Sequence, residues 1–316
     1  ERETDIGGNG ALLCCKATDK CNQCSACLVK ERIKDVKYHS CISLLTDSEV
    51  KEVKKERGNF YVTVKEKCSS HGQKFKETTL TISALIVATG FSPFDARKKP
   101  HFGYGRYERV ITGLDLEKML LQQNKIIPAN KVAFIQCVGS RDRAVGNNYC
   151  SRVCCKYALR MANLLKYQSP EINITIFYID LQLFEKGFLE FYQKCRESIR
   201  FIQAIPVEIN QVLSDKVRLK YENIKKGEII KEDYDLVVLS IGITPREDAK
   251  ALSDILDINR GEYGFYESLT PNETTKTQKK GIFLAGTCQG PKNINQSIAH
   301  AEEAAEKTLS FLKEKR

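Results

Sequence analysis

The sequence predicts an α/β protein made of two units, of which the second is built around a parallel, doubly wound sheet. Segments with strand and helix patterns alternate between residues 131 and 241, and such alternation is typical of parallel sheets covered by helices. Three apolar segments, 84–90, 236–242 and 281–286, each end in a turn of small residues. The chain of 316 residues is long enough to form two compact units with sizeable cores.

Composition and charge limit the classes of function. The chain is 42% hydrophobic and 28% charged, as in soluble globular proteins, and no apolar run approaches the roughly 20 residues of a membrane span. The net charge is +10, but lysines alternate with glutamates in stretches such as 51–57 and 225–231. This pattern indicates solvated faces, or a basic docking face for an acidic electron carrier or a partner protein. No basic stripe with interleaved aromatic residues is present, which argues against nucleic-acid binding.

The first part of the chain is predicted to combine irregular and antiparallel structure. Residues 1–30 are rich in Gly and Cys and are expected to be irregular. The period near two in residues 41–66 predicts an antiparallel meander. The predicted strands are 41–45, 49–53 and 59–64, continued by 80–82 and 84–87, and a short helix is predicted at 114–123.

A second unit is predicted to begin near residue 130, and the chain returns to the first unit beyond residue 245. Its predicted strands are 131–135, 172–179, 200–203, 208–213, 217–221 and 236–241, with helices at 151–166 and 186–198. A strand at 281–285 and a helix at 297–312 close the first unit. We therefore place one domain at 1–124 plus 246–316 and the other at 125–245.

Four cysteines follow the first strand of the second unit, with the spacing Cys137-x12-Cys150-x3-Cys154-Cys155. They lie at a strand end, in an arginine-containing loop and at a helix start. Four thiolates are the usual ligands of an iron–sulfur cluster, and the amino terminus of a helix stabilises their negative charge. Four thiolates also suit tetrahedral zinc, and buried apolar cysteines are the structural alternative.

A second cysteine group lies near the amino end. Cys21-x2-Cys24-x2-Cys27 has the spacing with which short loops present three thiolates to one cluster. Leu28 follows in place of the usual proline. The fourth ligand lies elsewhere: Cys15 and Cys14 are nearest and Cys41 is more remote. Zinc is again the alternative metal, and clustered cysteines of this kind indicate a reducing, cytoplasmic compartment.

The small-residue turns are of the kind that lets backbone approach a dinucleotide. The first is Ala88-Thr89-Gly90, and the last is followed by a Gly/Pro loop and a helix. The amino terminus of that helix would face the flavin atoms on which negative charge develops on reduction. The candidate contacts in this region are Gly286, Thr287, Cys288, Pro291, Lys292, Asn293, Ile294 and Ser297.

With these motifs, the chain resembles the A-type component of heterodisulfide reductase and its relatives, a family of flavin and iron–sulfur electron-transfer subunits. The resemblance covers nearly all of the chain from about residue 39 on. It is carried by the stretches ALIVATGFSPFD, FGYGRYERVIT, KVAFIQCVGSRD, YCSRVCCKYAL, ITIFYID, YDLVVLSIGITP and GIFLAGTCQGPKNINQSIAHAEEAA. It implies a thioredoxin-reductase-like fold of two Rossmann-like domains, with the nicotinamide-type domain altered.

The resemblance also implies the cofactors. In the family the quartet spacing carries a [4Fe–4S] cluster beside an FAD, so Cys137, Cys150, Cys154 and Cys155 are the implied ligands. Family members have an amino-terminal strand and a G-x-G-x-x-G loop for FAD, and this chain starts beyond them. We expect a longer chain or another polypeptide to supply that piece. Glu1 or Glu3 would then bind the adenosine ribose, with Gly7 and Gly8 just beyond the first Rossmann turn.

The function implied is that of an electron-transfer subunit. FAD would accept electrons from a hydrogenase, formate or NADH module. The cluster would pass single electrons to ferredoxin or to the disulfide-reducing and iron–sulfur subunits. The resemblance also implies that the flavin can bifurcate, since flavin-based bifurcation is a property of the family. Two alternatives stay open. One is a pyridine-nucleotide-disulfide oxidoreductase acting directly on a small substrate, and the other is a zinc-stabilised scaffold subunit.

Overall fold

The computed structural model describes residues 1–67, 75–122, 128–182, 184–212, 215–224 and 226–315. The chain divides into two compact units. Unit 1 consists of Glu1–Ala11, Ser25–Ser92 and Thr244–Arg316, and unit 2 consists of Leu12–Cys24 and Pro93–Ile243. No helix in the described part of the chain is both long and apolar enough to span a membrane.

The helices and strands alternate along much of the chain. The strands are β1 (Ser48–Glu56), β2 (Asn59–Lys67), β3 (Phe75–Ile82), β4 (Leu85–Val87), β5 (Ser92–Pro93), β6 (Val110–Thr112), β7 (Lys131–Val138), β8 (Asn173–Phe177), β9 (Arg200–Ile202), β10 (Glu208–Val212), β11 (Lys216–Asn223), β12 (Glu228–Tyr234), β13 (Leu236–Ile241), β14 (Ile243–Thr244) and β15 (Ile282–Leu284). The α-helices are α1 (Gly8–Ala11), α2 (Ala26–Tyr38), α3 (Gly113–Leu121), α4 (Cys154–Gln168), α5 (Phe188–Cys195), α6 (Ala249–Leu256) and α7 (Ile294–Glu314).

Unit 2 is a three-layer α/β structure. Its central sheet has the order β6-β13-β7-β8-β9 with parallel neighbours throughout. One face of this sheet is covered by apolar residues of α3, α4 and α5, and the other by the antiparallel sheet β10-β11-β12. The strand β13 is buried at all six positions, as expected for a parallel strand that is covered on both faces.

Unit 1 combines an antiparallel sheet with a parallel pair of strands. The meander β1-β2-β3 is antiparallel, and β4 pairs in parallel with β15. The inward-facing residues Phe60, Val62 and Val64 of β2 pack in one core with residues of β4, β15 and α6. The chain returns to this unit at Thr244.

Several predicted elements differ from the observed ones. Residues 41–45 form no strand and are exposed, because in the described part of the chain no neighbouring strand pairs with their backbone. Residues 26–30, predicted to be irregular, form the start of α2, in which Leu, Lys, Glu and Arg are good helix formers. The segment 84–87 does not continue the meander but pairs with β15. Residues 93–121 belong to unit 2, so the division falls near residue 92 and not near 124.

Candidate functional site

Cys137 lies where β7 leaves the middle of the five-stranded sheet. The pairing of β7 with β13 slips by one residue between Leu239 and Ile241, so two β7 residues stand opposite one β13 residue. A β-bulge of this kind re-aims a side chain. Cys137 has a φ of 61°, a left-handed conformation that costs a non-glycine residue about 1–3 kcal/mol, and strained residues of this kind cluster at functional sites.

The loop after β7 folds back as a short hairpin and brings Cys150 to the same region. The Asn147 side-chain amide donates to the carbonyl oxygen of Gly139 at 2.9 Å. The hydroxyl of Ser140 donates to the carbonyl oxygen of Tyr149 at 3.0 Å and accepts from the N–H of Ser151 at 2.9 Å. Because these bonds join the two ends of the loop, they fix the position of Cys150 relative to β7.

Cys154 and Cys155 form the first turn of α4, the helix that packs on β7. No side chain caps this end of the helix, so its N–H groups can stabilise negative charge on the thiols. The Sγ of Cys154 lies 3.6 Å from the carbonyl oxygen of Ile241. The backbone N–H of Gln182 donates to the Cys155 sulfur, and the Asp180 carbonyl oxygen lies 4.0 Å from it.

The structure brings the four predicted ligands together. Cys137, Cys150, Cys154 and Cys155 line one pocket with about 280 Å³ of empty space, which includes the open solvent at its mouth. Arg141, Arg152, Asp180 and Gln182 also line this pocket. Arg141 forms a salt bridge with Asp180 at 2.7 Å, so charged side chains line the pocket together with the thiols.

Burial controls the charge of these thiols. It raises the pKa of Cys137 to about 12, and it also raises the pKa values of Cys154 and Cys155. The neighbouring thiols of the quartet add to the shifts of Cys137 and Cys154. Buried thiols of this kind stay protonated until a cation compensates their charge, and metal binding supplies that compensation while releasing the protons.

A single ion and a cluster place different geometric demands on four thiolates. Among the described residues, no group of three or more His, Cys, Asp or Glu side chains is arranged to hold one metal ion. A zinc ion needs its four sulfurs at about 2.3 Å from one point. In a [4Fe–4S] cluster each thiolate binds a different iron, so the sulfurs are spread around a larger body.

The segment that carries the first cysteines of the chain is anchored inside unit 2. Lys16 and Glu117 of α3 form a salt bridge at 2.6 Å, and their side chains are only 3% and 4% exposed. The N–H of Cys14 donates to the Glu117 carboxylate at 2.9 Å. Arg160 of α4 donates to the carbonyl oxygen of Asn22 at 2.8 Å. These buried contacts fix both ends of the segment 12–24.

The predicted ligands of the second cysteine group are distributed over both units. The thiols of Cys14 and Cys24 interact electrostatically, and those of Cys21 and Cys24 interact with the Arg160 guanidinium. Cys14 is buried, and burial raises its pKa to about 12, whereas Cys15 is exposed. Cys27 lies on α2 and Cys41 beyond it, both in unit 1. The ligand set Cys15, Cys21, Cys24 and Cys27 therefore stays a prediction.

In unit 1, the predicted flavin turns lie side by side. Because β4 and β15 are parallel neighbours, the turns at Ala88–Gly90 and at Gly286–Cys288 follow at the same edge of the pair. Gly90 and Gly286 have φ values of 76° and 72°, which favour glycine. The nearest atom to a Cβ placed on Gly90 is Thr287 Oγ1 at 3.9 Å, and a Cβ on Gly290 meets nothing within 4 Å. This open glycine edge fits the close approach of a dinucleotide.

The helix α7 begins beside these turns. Asn293 caps it by accepting the N–H of Gln296 at 2.8 Å, in a reciprocal capping box. Pro291, Lys292, Ile294 and Ser297 are half-buried around this start. The thiol of Cys288 is buried and donates to the carbonyl oxygens of Val87 and Ala285. It therefore links the carboxyl ends of β4 and β15, and its side chain points into the protein.

The amino-terminal residues predicted to contact FAD are tied to the start of β1. The carbonyl oxygens of Glu1 and Glu3 accept from the N–H groups of Ser48 and Asp47 at 2.8 and 3.1 Å, and both glutamates are exposed. Gly7 and Gly8 have positive φ values of 109° and 47° and lead into α1. The side chain of Asn9, next in α1, donates to the Phe91 carbonyl oxygen at 3.0 Å, just beyond the 88–90 turn.

Some residues that shape these sites were not predicted from sequence. Asp180 and Gln182 reach the quartet from the loop after β8, and they could have been found because adjacent parallel strands end at the same sheet edge. His300 of α7 is buried and accepts the N–H of Gly286 at 2.9 Å. No sequence motif marks Lys16 and Glu117 as a pair, so their contact is visible only in the tertiary structure.

The family of the chain follows from comparison with known proteins. A family model described as pyridine nucleotide-disulphide oxidoreductase matches residues 12–307. The chain belongs to this family. The T. acidophilum thioredoxin reductase structure has a TM-score of 0.59 at 16% identity and covers 98% of this chain and 88% of that one. The Lactococcus lactis thioredoxin reductase has a TM-score of 0.58 at 16% identity, covering 92% and 82%. The predicted thioredoxin-reductase-like fold is thus confirmed.

Relatives with known names show which group within this family the chain is similar to. The A-type component of the H2/formate:CoB-CoM heterodisulfide,ferredoxin reductase of Methanococcus maripaludis is 39% identical and covers 74% of this chain and 38% of its own. An A-type iron-sulfur component of the CoB–CoM heterodisulfide reductase of Methanopyrus kandleri is 32% identical and covers 99% and 60%. The resemblance to the A-type component of heterodisulfide reductase is confirmed. The chain spans only 38% to 60% of the length of these two relatives.

Proposed function

We propose that this chain is the flavin and iron–sulfur electron-transfer part of a heterodisulfide-reductase-like complex. The observation that carries the proposal is the convergence of Cys137, Cys150, Cys154 and Cys155 on one pocket. This pocket lies at the carboxyl end of β7, the edge at which doubly wound sheets bind their ligands. Thiols now occupy the position at which a nicotinamide-binding domain would carry a glycine-rich phosphate loop.

The quartet would hold one [4Fe–4S] cluster, which when bound supplies single-electron transfer. The protein's part is to hold the four sulfurs and to tune their charge. The amino terminus of α4 and the Gln182 N–H stabilise thiolate charge at Cys154 and Cys155. The hairpin between Ser140 and Ser151 keeps Cys150 in place. The second cysteine group would hold a further cluster, with Cys14, Cys15 or Cys41 as its fourth ligand.

The glycine edge of unit 1 would hold FAD, together with Ala88, Thr89 and the segment from Gly286 to Ser297. The helix α7 contains 21 residues, and its amino terminus would stabilise negative charge on the flavin. Lys292, beside that terminus, adds a positive charge. Glu1 or Glu3 would bind the adenosine ribose.

The names of the relatives suggest the partners. We infer that electrons enter from a hydrogenase, formate or NADH module and leave toward ferredoxin or a disulfide-reducing subunit, in the cytoplasm. Flavin-based bifurcation is part of this proposal. Bifurcation would require that the protein separate the reduction potentials of the two one-electron steps of the flavin. The positive electrostatic potential at the amino terminus of α7 would be the means by which the protein shifts them.

The test is a cysteine replacement with a matched control. The variant Cys154→Ser removes one ligand of the quartet, whereas Cys195→Ser changes an equally buried thiol on α5 that does not line the pocket. After anaerobic purification, Cys154→Ser should lose or alter one EPR signal and the corresponding iron and sulfide, while Cys195→Ser should match the wild type. An unchanged EPR spectrum in Cys154→Ser, or a colourless protein with stoichiometric zinc, would contradict the proposal.

A second candidate is direct reduction of a small substrate by a pyridine nucleotide. The family match favours it, and the spacing of Cys21 and Cys24 would suit a redox dithiol. This function predicts that NADH or NADPH bleaches the flavin of the isolated protein within one turnover. If neither nucleotide reduces the flavin but a reduced ferredoxin does, the result would favour the electron-transfer function instead.

A further inference from the structure

The turn that follows β15 is held by a side chain of α7. Residues Gly286–Cys288 form a single turn of 3-10 helix, and the first N–H groups of a helix have no partner within it. Ala285, which precedes this turn, provides no side-chain cap. The N–H of Gly286 donates instead to the Nδ1 of His300 at 2.9 Å. His300 therefore caps the turn from the next helix along the chain.

The helix α7 presents one face to this turn. Asn293, Ser297, His300 and Ala304 are spaced by three or four residues, so they lie on the same side of the helix. A Cβ placed on Gly286 would lie 3.9 Å from the Ser297 Cβ, and His300 and Ala304 are buried. The residue that caps α7 and the residue that caps the turn thus lie on one helix face.

The contact with Gly286 assigns the protonation state of the His300 imidazole. A ring nitrogen accepts a hydrogen bond only when it carries no proton, so Nδ1 is unprotonated and the neutral ring carries its proton on Nε2. In the described part of the chain, Nε2 has no hydrogen-bond partner of good geometry, although the Thr274 backbone interacts with the ring. Protonation of Nδ1 would place its N–H opposite the Gly286 N–H and break the contact.

The surroundings of His300 favour the neutral ring. Burial lowers the pKa of the imidazole, and the positive charge of Lys292 lowers this pKa further. The Thr274 backbone and the Glu303 carboxylate act in the opposite direction, but the net shift of the pKa is downward. The ring is therefore neutral at neutral pH, and the cap of the turn is intact.

The other titratable groups on the elements around the ring add little net charge. In the segment that contains Thr274, Glu273 and Lys276 form a salt bridge at 2.5 Å. In the turn itself, burial raises the pKa of Cys288 to about 11, so this thiol is uncharged at neutral pH. The pH dependence of the cap is therefore that of His300.

We propose that His300 is a positioning residue for the flavin, which holds the Gly286 turn in its binding conformation only while the imidazole is neutral. The turn is part of the glycine edge of unit 1, so its release from His300 changes the surface that a dinucleotide would meet. His300 acts through Gly286 and needs no contact with the cofactor. Because a proton and FAD then favour different states of the turn, acid weakens FAD binding. This inference rests on the flavin site of the proposed function.

The test measures FAD binding by the purified protein and by two variants of His300. The bound flavin is removed, and the quenching of flavin fluorescence on rebinding gives the Kd. Leu and Asn have the same branched shape, but only Asn presents an acceptor oxygen near the position of Nδ1. His300→Leu should raise the Kd about tenfold at about pH 7.5, because it leaves a buried N–H unpaired. His300→Asn should stay within about threefold of the wild type.

The pH profile separates a proton-sensitive cap from a purely structural role. The wild-type Kd should be constant above about pH 6.5 and should rise as the pH falls toward about 5, because the lowered pKa of a histidine lies in this window. The profile of His300→Asn should be flat over the same range, since asparagine does not titrate. Parallel profiles of these two proteins would overturn the proposal, and this comparison decides the matter even if His300→Leu does not fold.

Nitrogen NMR spectroscopy of the isotope-labelled, flavin-free protein gives a readout that does not depend on FAD. The chain has four histidines, and the ring signals of His300 are those that disappear in His300→Asn. At about pH 7.5 these signals should show a protonated Nε2 and an unprotonated Nδ1. A proton on Nδ1 would overturn the proposal, because that nitrogen could not accept the Gly286 N–H.

A matched control and the proposed function are checked in the same experiment. The control His101→Asn changes an exposed histidine of unit 2 and should keep the wild-type Kd and pH profile. If none of these proteins binds FAD, the flavin site of the proposed function is wrong and the role of His300 falls with it. If all of them bind FAD with equal Kd values and equal pH profiles, the flavin site stands and only the positioning role is refuted.

Discussion

The buried pair of Lys16 and Glu117 offers a quantitative test of how the first cysteine segment is held. The substitution Glu117→Gln keeps the shape of the side chain but removes its charge. Glu117 lies 2.6 Å from the Lys16 ammonium and also accepts the Cys14 N–H at 2.9 Å. The amide oxygen of glutamine can still accept that N–H, so the main loss is the charge that balances Lys16.

The expected cost follows from the burial of both groups. Their side chains are 3% and 4% exposed, so Lys16 is left as an uncompensated buried cation. Removing one partner of such a pair costs about 3–5 kcal/mol of unfolding free energy. The double variant Lys16→Met/Glu117→Gln carries no buried charge, and it should recover to within about 1–2 kcal/mol of the wild type.

Anaerobic urea denaturation, followed by far-UV circular dichroism, measures these differences. The control is Arg218→Gln, which breaks a salt bridge of unit 2 whose side chains are 45% and 38% exposed, so it should destabilise the protein much less than Glu117→Gln. The reasoning is refuted if Glu117→Gln costs no more than the control. It is also refuted if the double variant is less stable than Glu117→Gln, since the cost would then not come from an unpaired charge.

Three further predictions concern other parts of the chain. Gly139→Ala should destabilise unit 2 by about 2–4 kcal/mol in the same denaturation assay, because its Cβ would lie 2.0 Å from the Phe94 ring at a φ of 72°, whereas Gly146→Ala, at a φ of 76° with nothing within 4 Å, should cost only about 1 kcal/mol. Asn293→Ala should cost about 1 kcal/mol by removing the cap of α7, and a thermal midpoint equal to that of the wild type would contradict the assigned cap. Burial raises the pKa of Cys195 to about 12. Because the thiol of the unfolded chain ionises at a lower pH, the free energy of unfolding of the metal-free protein should be at its full value below about pH 8.5 and should fall as the pH rises toward 12. This fall should be shallower in Cys195→Ala.

The sequence was sufficient to predict the fold and the candidate site where a local pattern agrees with the tertiary structure. The alternation of strands and helices in unit 2 follows from runs that are buried on both faces, such as 236–241. The convergence of Cys137 with Cys154 and Cys155 also follows from local order, because a strand end and the next helix start lie at the same edge of a parallel sheet. Spacing alone could therefore predict which thiols meet.

The sequence was insufficient where a partner distant in the chain decides the structure. Residues 41–45 have the alternation of a strand, yet they lack a neighbour in the described part of the chain and stay exposed. The segment 84–87 has no pattern that distinguishes a meander from a parallel pair, and β15, about 200 residues later, determines the result. The bulge at Cys137 likewise arises from pairing with β13, which no local motif encodes.

The helix α4 has a consequence for how this chain can change over evolutionary time. It carries Cys154 and Cys155 in its first turn, and Arg160 binds the segment of Cys21 and Cys24 from the same helix. The axial offset from Cys155 to Arg160 is about 7.5 Å, set only by the rise of the helix. Loops around either cysteine group can gain or lose residues without altering this offset. A single residue inserted between positions 155 and 160 would instead turn one group about 100° around the helix axis relative to the other, so this short stretch should tolerate substitutions far better than insertions or deletions.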